Sequence, residues 1–235
     1  MFLTKAIVLK YIKYSESSII VRIYTELFGL KSYIVKGVRK KNAKFNLALF
    51  QPLMQLEMVV EHRERNNLHY IKEAKPYSYY QSLYENVKKS AITMFILELL
   101  NKTLKEESQN LQLFNFLSES FFILDKAQSG FNCFHYHFSM DLTQYLGFQP
   151  LDNYNETNTV FNLKEGKFQP EIDEIEYCVA EPLSSQLSKI LSSPEYIVPQ
   201  IYLSPLLDKI ILYYQYHLPG IKDFRSPVIL HKLLN

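Results

Sequence analysis

The chain has 235 residues, 47% hydrophobic and 21% charged, with a formal net charge of +2. That length accommodates one large or two ordinary hydrophobic cores, and the composition excludes a disordered or collagen-like protein. Cys133 and Cys178 are too few and too far apart for a disulfide framework or a zinc-finger pattern, so both are expected as small buried residues in a reducing compartment.

Strand-like patterning runs from Phe2 to about Ile71. Ile19, Val21 and Ile23 alternate with Ile20, Arg22 and Tyr24; Leu30, Ser32 and Ile34 alternate with Lys31, Tyr33 and Val35. Gly29 lies between them and suits a turn that requires positive φ. Pro52 to Glu61 and Leu68 to Ile71 read as further strands. The intervening stretch Asn42 to Phe50 reads as a short helix or an irregular connection. Five strands in so short a segment predict a small closed barrel.

The period changes near Lys75-Pro76-Tyr77-Ser78. Val87, Ala91, Phe95 and Leu99 recur at steps of four, flanked by Ile92, Ile96 and Leu100, and predict a buried helix. Leu113 to Leu124 and Phe131 to Tyr145 predict two more helices. Asn153 to Pro170 is polar and reads as a loop. A short helix is expected at Leu183 to Leu191, and a stronger one opens at Ser204-Pro205 and closes at Pro219-Gly220. The fold class is therefore α+β: residues 1–76 as a β-barrel and residues 77–235 as an α-helical domain.

Charge divides the chain more sharply than its net value suggests. Residues 1–80 hold fourteen Lys/Arg against six Asp/Glu, and the remainder twelve against eighteen. A basic barrel followed by an acidic helical region points to an anionic polymer or a membrane surface as partner for the barrel. Arg22, Lys31, Lys36, Arg39, Lys40, Lys41 and Lys44 are the candidate phosphate contacts. Tyr33 and Phe45, with Tyr24 and Phe28 behind them, are the candidate stacking platforms, because single-stranded nucleic acid needs cations for phosphates and aromatic faces for bases.

Enzymatic readings find little support. No phosphate-binding glycine loop occurs and no nucleophile elbow, so no catalytic set and no cofactor is expected. His135, His137 and Asp141 form the one metal-like grouping, but their spacing puts His135 off the face that His137 and Asp141 share, and no metal is assigned. The acidic run Glu171, Asp173, Glu174 and Glu176 reads as solvated. Lys5, Lys10 and Lys13 break the N-terminal apolar run, and Ala91 to Leu100 is about half a membrane span. A cytoplasmic protein without membrane contact is expected, with the sequons at Asn101 and Asn155 unused.

Several segments, taken in order, resemble the RecO family of bacterial recombination mediators. They are Ser15-Glu16-Ser17-Ser18-Ile19-Ile20, Tyr24-Thr25, Gly29-Leu30-Lys31, Val35-Lys36-Gly37-Val38-Arg39-Lys40 and Phe50-Gln51-Pro52-Leu53 with Leu56-Glu57. Weaker matches continue through Tyr145-Leu146-Gly147-Phe148-Gln149-Pro150 and Leu218-Pro219-Gly220 with Lys222 and Ser226. The resemblance implies an oligonucleotide/oligosaccharide-binding (OB) barrel on a helical domain and no catalysis. It also implies binding of single- and double-stranded DNA, strand annealing, and a nucleoid-associated role in repair and recombination. The implied partners are RecR, the C-terminal tail of single-strand-binding protein and, indirectly, the recombinase RecA. Lys209, Lys222 and Arg225 are candidates for receiving that tail. The alternative is an OB-type adaptor for RNA or protein without annealing activity. Many family members carry a four-cysteine zinc module after the segment matching Leu146 to Pro150; here residues 151–170 contain no cysteine. A zinc-free loop held by packing is expected in its place.

Overall fold

The computed structural model describes residues 1–40, 42–62, 68–105 and 107–234. They form two compact units, Met1–Ser82 with Leu104–Lys126, and Leu83–Thr103 with Ala127–Asn235. A contiguous division at 76/77 would fall inside a strand, and the first unit takes back a helix from later in the chain.

The first unit is built on β1 (Phe2–Lys13), β2 (Ile19–Thr25), β3 (Gly29–Val35), β4 (Gln55–Glu61) and β5 (His69–Ser78), closed in the order β1-β2-β3-β5-β4. This is the OB-fold barrel. Its long first strand serves two neighbours: Phe2 to Ile7 pair with β4, and Ala6 to Lys13 pair with β2 across an irregularity between Val8 and Lys10. Such a bulge bends one strand so that a small sheet can close.

Period-2 alternation sorts the barrel's side chains. Val21, Tyr33 and His69 stand in register and point inward, joining Ala6, Val8, Ile23, Leu56, Met58 and Val60 in a core with almost no solvent exposure. One residue along, Ile12, Ile20, Ile34 and Tyr70 are in register and point outward. The β2–β3 turn is closed by Thr25, whose hydroxyl donates to the Gly29 carbonyl and accepts from the Phe28 N–H. Gly29 adopts φ 61°, the left-handed value that the sequence calls for. A 3₁₀ turn, Leu47–Phe50, follows β3, capped by Asn46 Oδ1 accepting from the Ala48 N–H at 2.9 Å.

Helix α1 (Ser82–Glu85) and helix α2 (Val87–Thr103) follow the barrel, and Asn86 Oδ1 caps α2 through the Lys88 and Lys89 N–H groups. Helix α3 (Leu111–Lys126) completes the barrel unit, burying Leu113, Phe114, Leu117, Phe121 and Leu124. Its last turn places the buried Asp125 carboxylate where it accepts from the Gln81 and Ser82 N–H groups. Ser118 on the same helix accepts at its carbonyl from the Gln55 side chain and donates its hydroxyl back to it.

The second unit holds α2, α4 (Phe134–Leu146), α5 (Leu183–Ser192), α6 (Leu203–His217) and α7 (Pro227–Leu234). The stretch expected as a loop instead carries strands. β6 (Val160–Asn162), β7 (Lys167–Gln169) and β8 (Cys178–Val179) make a sheet in the order β7-β6-β8. Strands of two or three residues are too short to show alternation, and all three residues of β6 are buried, so no polar face marks it. Phe161 and Phe168 meet at 4.9 Å between ring centroids, and Asn153 bridges the sheet through the Phe168 N–H and carbonyl. Gly166 has φ +66°, and a Cβ there would come within 2.8 Å of the Tyr213 hydroxyl, so both backbone and space require glycine. His135 is buried against the edge of Phe95. Burial and the nearby His231 and His137 push its pKa down to about 3, so it packs as a neutral ring.

Candidate nucleic-acid interface

The interface is assembled at the end of the barrel where β1 turns into β2 and β3 leaves the sheet. Gly37, at φ +68°, starts a tight turn closed by the Lys40 N–H donating to the Gly37 carbonyl at 3.1 Å. The Arg39 N–H donates to the Ser17 carbonyl at 3.3 Å, which fixes this turn against the β1–β2 turn. Ser15 steadies that second turn, its hydroxyl accepting from the Ser18 N–H. The Gly37–Lys40 turn, anchored on the β1–β2 turn, therefore fixes the backbone that carries Lys36, Arg39 and Lys40.

Lys36, Arg39, Lys40 and Lys44 are all exposed on this rim. Lys36 Nζ lies 5.4 Å from the Tyr70 ring, and Lys44 Nζ lies 5.5 Å from Phe45. A depression of about 330 Å³ beside Phe45 is lined by Val38, Arg39, Lys40, Ala43, Phe45, Asn46 and Leu47. Arg39 and Lys40 beside a lining of mixed polar and apolar character suit an anion that also carries an apolar part.

Four of the sequence candidates sit elsewhere than expected. Tyr33 is fully buried, with burial driving its phenol pKa upward, and it presents no face to a base. Phe45 is 9% exposed and packs edge-on against Phe50 at 6.0 Å; it lines the depression and is not a platform. Arg22 donates from Nη2 to the Leu104 carbonyl at 2.8 Å, and burial lowers its pKa. Lys31 is 10% exposed and pairs with Glu107 at 2.8 Å, a contact that holds the Glu107 carboxyl below its ordinary pKa. The segment entering α3 thus occupies both cations. Lys41 lies outside the described residues. Of the other expected platforms, Tyr24 is buried and Phe28 stacks on the His62 ring at 4.3 Å.

The residue missed in the sequence is Tyr70, 41% exposed beside Lys36. Its signal was present: Tyr70 is the outward partner in the short run Leu68 to Ile71. Lys13 and Tyr14 at the end of β1 are also exposed on this rim. In the second unit, Lys222 and Arg225 are exposed in the connection before α7, whereas Lys209 is half-buried on α6.

Two family models cover nearly all of this architecture. Residues 1–80 match Recombination protein O N terminal, and residues 84–222 match Recombination protein O C terminal. The chain belongs to the RecO family. It is 38% identical to the DNA repair protein RecO of Christiangramia forsetii over 98% of both chains. The RecO of Azobacteroides pseudotrichonymphae is 30% identical over the whole of both chains, and that of Flavobacterium psychrophilum 34% identical over 99% of this chain and 98% of its own. Membership gives the chain a role in DNA repair and recombination. It also places α7 outside the matched C-terminal segment. The thiolate zinc module found in many RecO proteins does not fit here. The β6–β8 region is filled by aromatic side chains, and Cys178 lies within hydrogen-bonding distance of Asp173 at 3.3 Å. Among the described residues no three His, Cys, Asp or Glu side chains gather to hold a metal, and no helix is long and apolar enough to cross a membrane.

Proposed function

We propose that the chain is a non-enzymatic recombination mediator that binds single- and double-stranded DNA through the rim carrying Lys36, Arg39, Lys40 and Lys44. The observation that carries this reading is the exposure of those four cations in and around one pinned turn, with Lys36 beside the exposed ring of Tyr70. Phosphates displace counterions at the rim, while Tyr70 offers a face to an unstacked base. Screening two strands on one basic surface lowers their mutual repulsion and leaves base edges available, which is what annealing requires. The resemblance to recombination mediators extends the reading to RecR, the tail of single-strand-binding protein and the indirect loading of RecA, in the bacterial cytoplasm. Exposed Lys222 and Arg225 are the preferred tail contacts.

Annealing of complementary strands coated with the cognate single-strand-binding protein tests this reading. Acceleration that requires the coating protein's C-terminal tail supports the mediator role. Absence of DNA binding at low salt overturns it in favour of an RNA or protein adaptor.

A further inference from the structure

The acidic run that the sequence marks as solvated is built more firmly than a solvated loop needs. Asp173 accepts hydrogen bonds from the Glu174 N–H at 2.7 Å and from Gln169 Nε2 at 2.9 Å. The Tyr177 N–H then closes a turn on the Glu174 carbonyl at 3.0 Å. These bonds depress the Asp173 pKa to about 2 and fix the segment's shape. At the tip stands Ile175, 82% exposed, with Ile172 at 50% beside it. Glu171, Glu174 and Glu176 surround them, all exposed. Lys164 lies over the Tyr177 ring at the base of the loop, 5.0 Å from its centroid, and Lys167 pairs with Glu165. The loop is thus a preorganised acidic knob with an aliphatic tip.

A socket of complementary chemistry exists on the barrel unit. Val38, Phe45 and Leu47 offer apolar wall, and Arg39 and Lys40 form a cationic rim. The socket holds about 330 Å³, room for a branched aliphatic side chain and part of its backbone. We infer that the Glu171–Glu176 loop of one copy docks its Ile175 into the Val38–Leu47 socket of a second copy, with Glu174 and Glu176 on Arg39 and Lys40. The occupant is a second copy because both halves lie on this chain and carry opposite charge, with an aliphatic tip on one and a partly apolar depression on the other. Such a contact joins different patches, so it is heterologous and propagates head to tail. It is small compared with a stable interface, so association is weak and concentration dependent. It uses Arg39 and Lys40, and therefore rests on the proposed DNA rim only in one consequence: DNA and self-association exclude each other.

Sedimentation velocity on the full chain across a wide concentration range, at low and high salt, tests this. The sedimentation coefficient should rise with concentration at low salt, and the rise should vanish at high salt. Ile175→Asp should weaken association about tenfold or more, the loss expected for one buried aliphatic side chain. Glu174→Lys with Glu176→Lys should also abolish it, and adding Arg39→Glu with Lys40→Glu in the same chain should restore it. Because Ile175 is 82% exposed, its replacement leaves the fold intact. A short single strand should dissociate the wild-type assembly. A coefficient independent of concentration, or association indifferent to Ile175→Asp, overturns the inference. So does an Ile175→Asp chain with unchanged mass and tighter DNA binding, which would mean that the loop covers its own rim. If no form binds DNA while wild-type association still depends on Ile175, the DNA reading fails and the self-association stands.

Discussion

The carboxylate of Glu98, in the middle of α2, holds the start of α7 by accepting the Ser226 hydroxyl at 2.6 Å and the Ser226 N–H at 2.8 Å. The Arg225 N–H adds a third donor at 3.0 Å. A remote side chain here does what an N-cap residue does for its own helix. Desolvation raises the Glu98 pKa, but the bonds from Ser226 and Arg225 and the charge of Lys102 outweigh it, leaving the pKa below its ordinary 4.5. The carboxylate therefore stabilises the fold fully above that ordinary value, and the contribution is lost as pH falls through the lower folded value. Glu98→Ala should cost about 1–3 kcal/mol in urea denaturation near neutral pH. The gap between wild type and variant should shrink below pH 4 to 5.

Arg39 and Lys40 are predicted to contact phosphate, whereas Arg22 serves the fold. Arg39→Glu with Lys40→Glu should weaken all DNA sequences alike. For a single strand it should flatten the log–log salt slope by about 1.4, at roughly 0.7 per lost phosphate contact. Arg22→Ala should leave that slope unchanged and destabilise the chain by about 1.5–3 kcal/mol, as a charge-assisted bond to the Leu104 carbonyl is lost. Fluorescence anisotropy at several salt concentrations, together with thermal melts, distinguishes the two.

The two tyrosines exchange the roles that alternation alone suggests. Tyr70→Ala should reduce single-strand affinity by about 1–3 kcal/mol and leave stability within about 0.5 kcal/mol of wild type. Tyr33→Ala removes a fully buried ring from the barrel core and should cost about 3–5 kcal/mol of stability. Equal DNA affinity for Tyr70→Ala and wild type would remove Tyr70 from the interface.

The β6–β8 region should depend on packing and not on metal. Chelation by EDTA is expected to leave the melting temperature unchanged. Phe161→Ala should lower stability by about 3–5 kcal/mol, because Phe161 is fully buried against Phe168 and Tyr213. Stoichiometric zinc in purified protein, with a melting temperature that falls on chelation, would overturn this.

The barrel was legible because Ile19 to Tyr24 and Leu30 to Val35 alternate over six residues each, long enough for period 2 to declare itself. The helices from Val87 onward were legible for the same reason at period 3.6. What alternation cannot supply is which of two faces is inside. The sequence suggests Tyr33 as a platform and not Tyr70, and the register across β2, β3 and β5 puts Tyr33 inside and Tyr70 outside; Tyr24 shares the parity of the outward Ile20 and is buried all the same. Nor does a list of cations reveal which are already engaged. Arg22 and Lys31 meet Leu104 and Glu107 from a segment over seventy residues away, a relation that no local pattern carries. The β6–β8 strands and α7 were missed because two or three residues, or a helix of eight after Ser226-Pro227, leave too little periodicity to read.

The return of α3 to the barrel unit has a consequence for how the protein emerges from the ribosome. Residues 1–82 hold every strand of the barrel, yet the carboxylate that caps Gln81 and Ser82 belongs to Asp125. A nascent chain can pair its strands early but has to wait through the whole of α2 before the unit is sealed. During that interval Gln55 lacks its Ser118 partner, and Leu113, Leu117 and Phe121, buried in the finished unit, have yet to emerge. A fragment ending near residue 82 should accordingly be prone to aggregation, and fragments for biophysical work should end beyond Lys126.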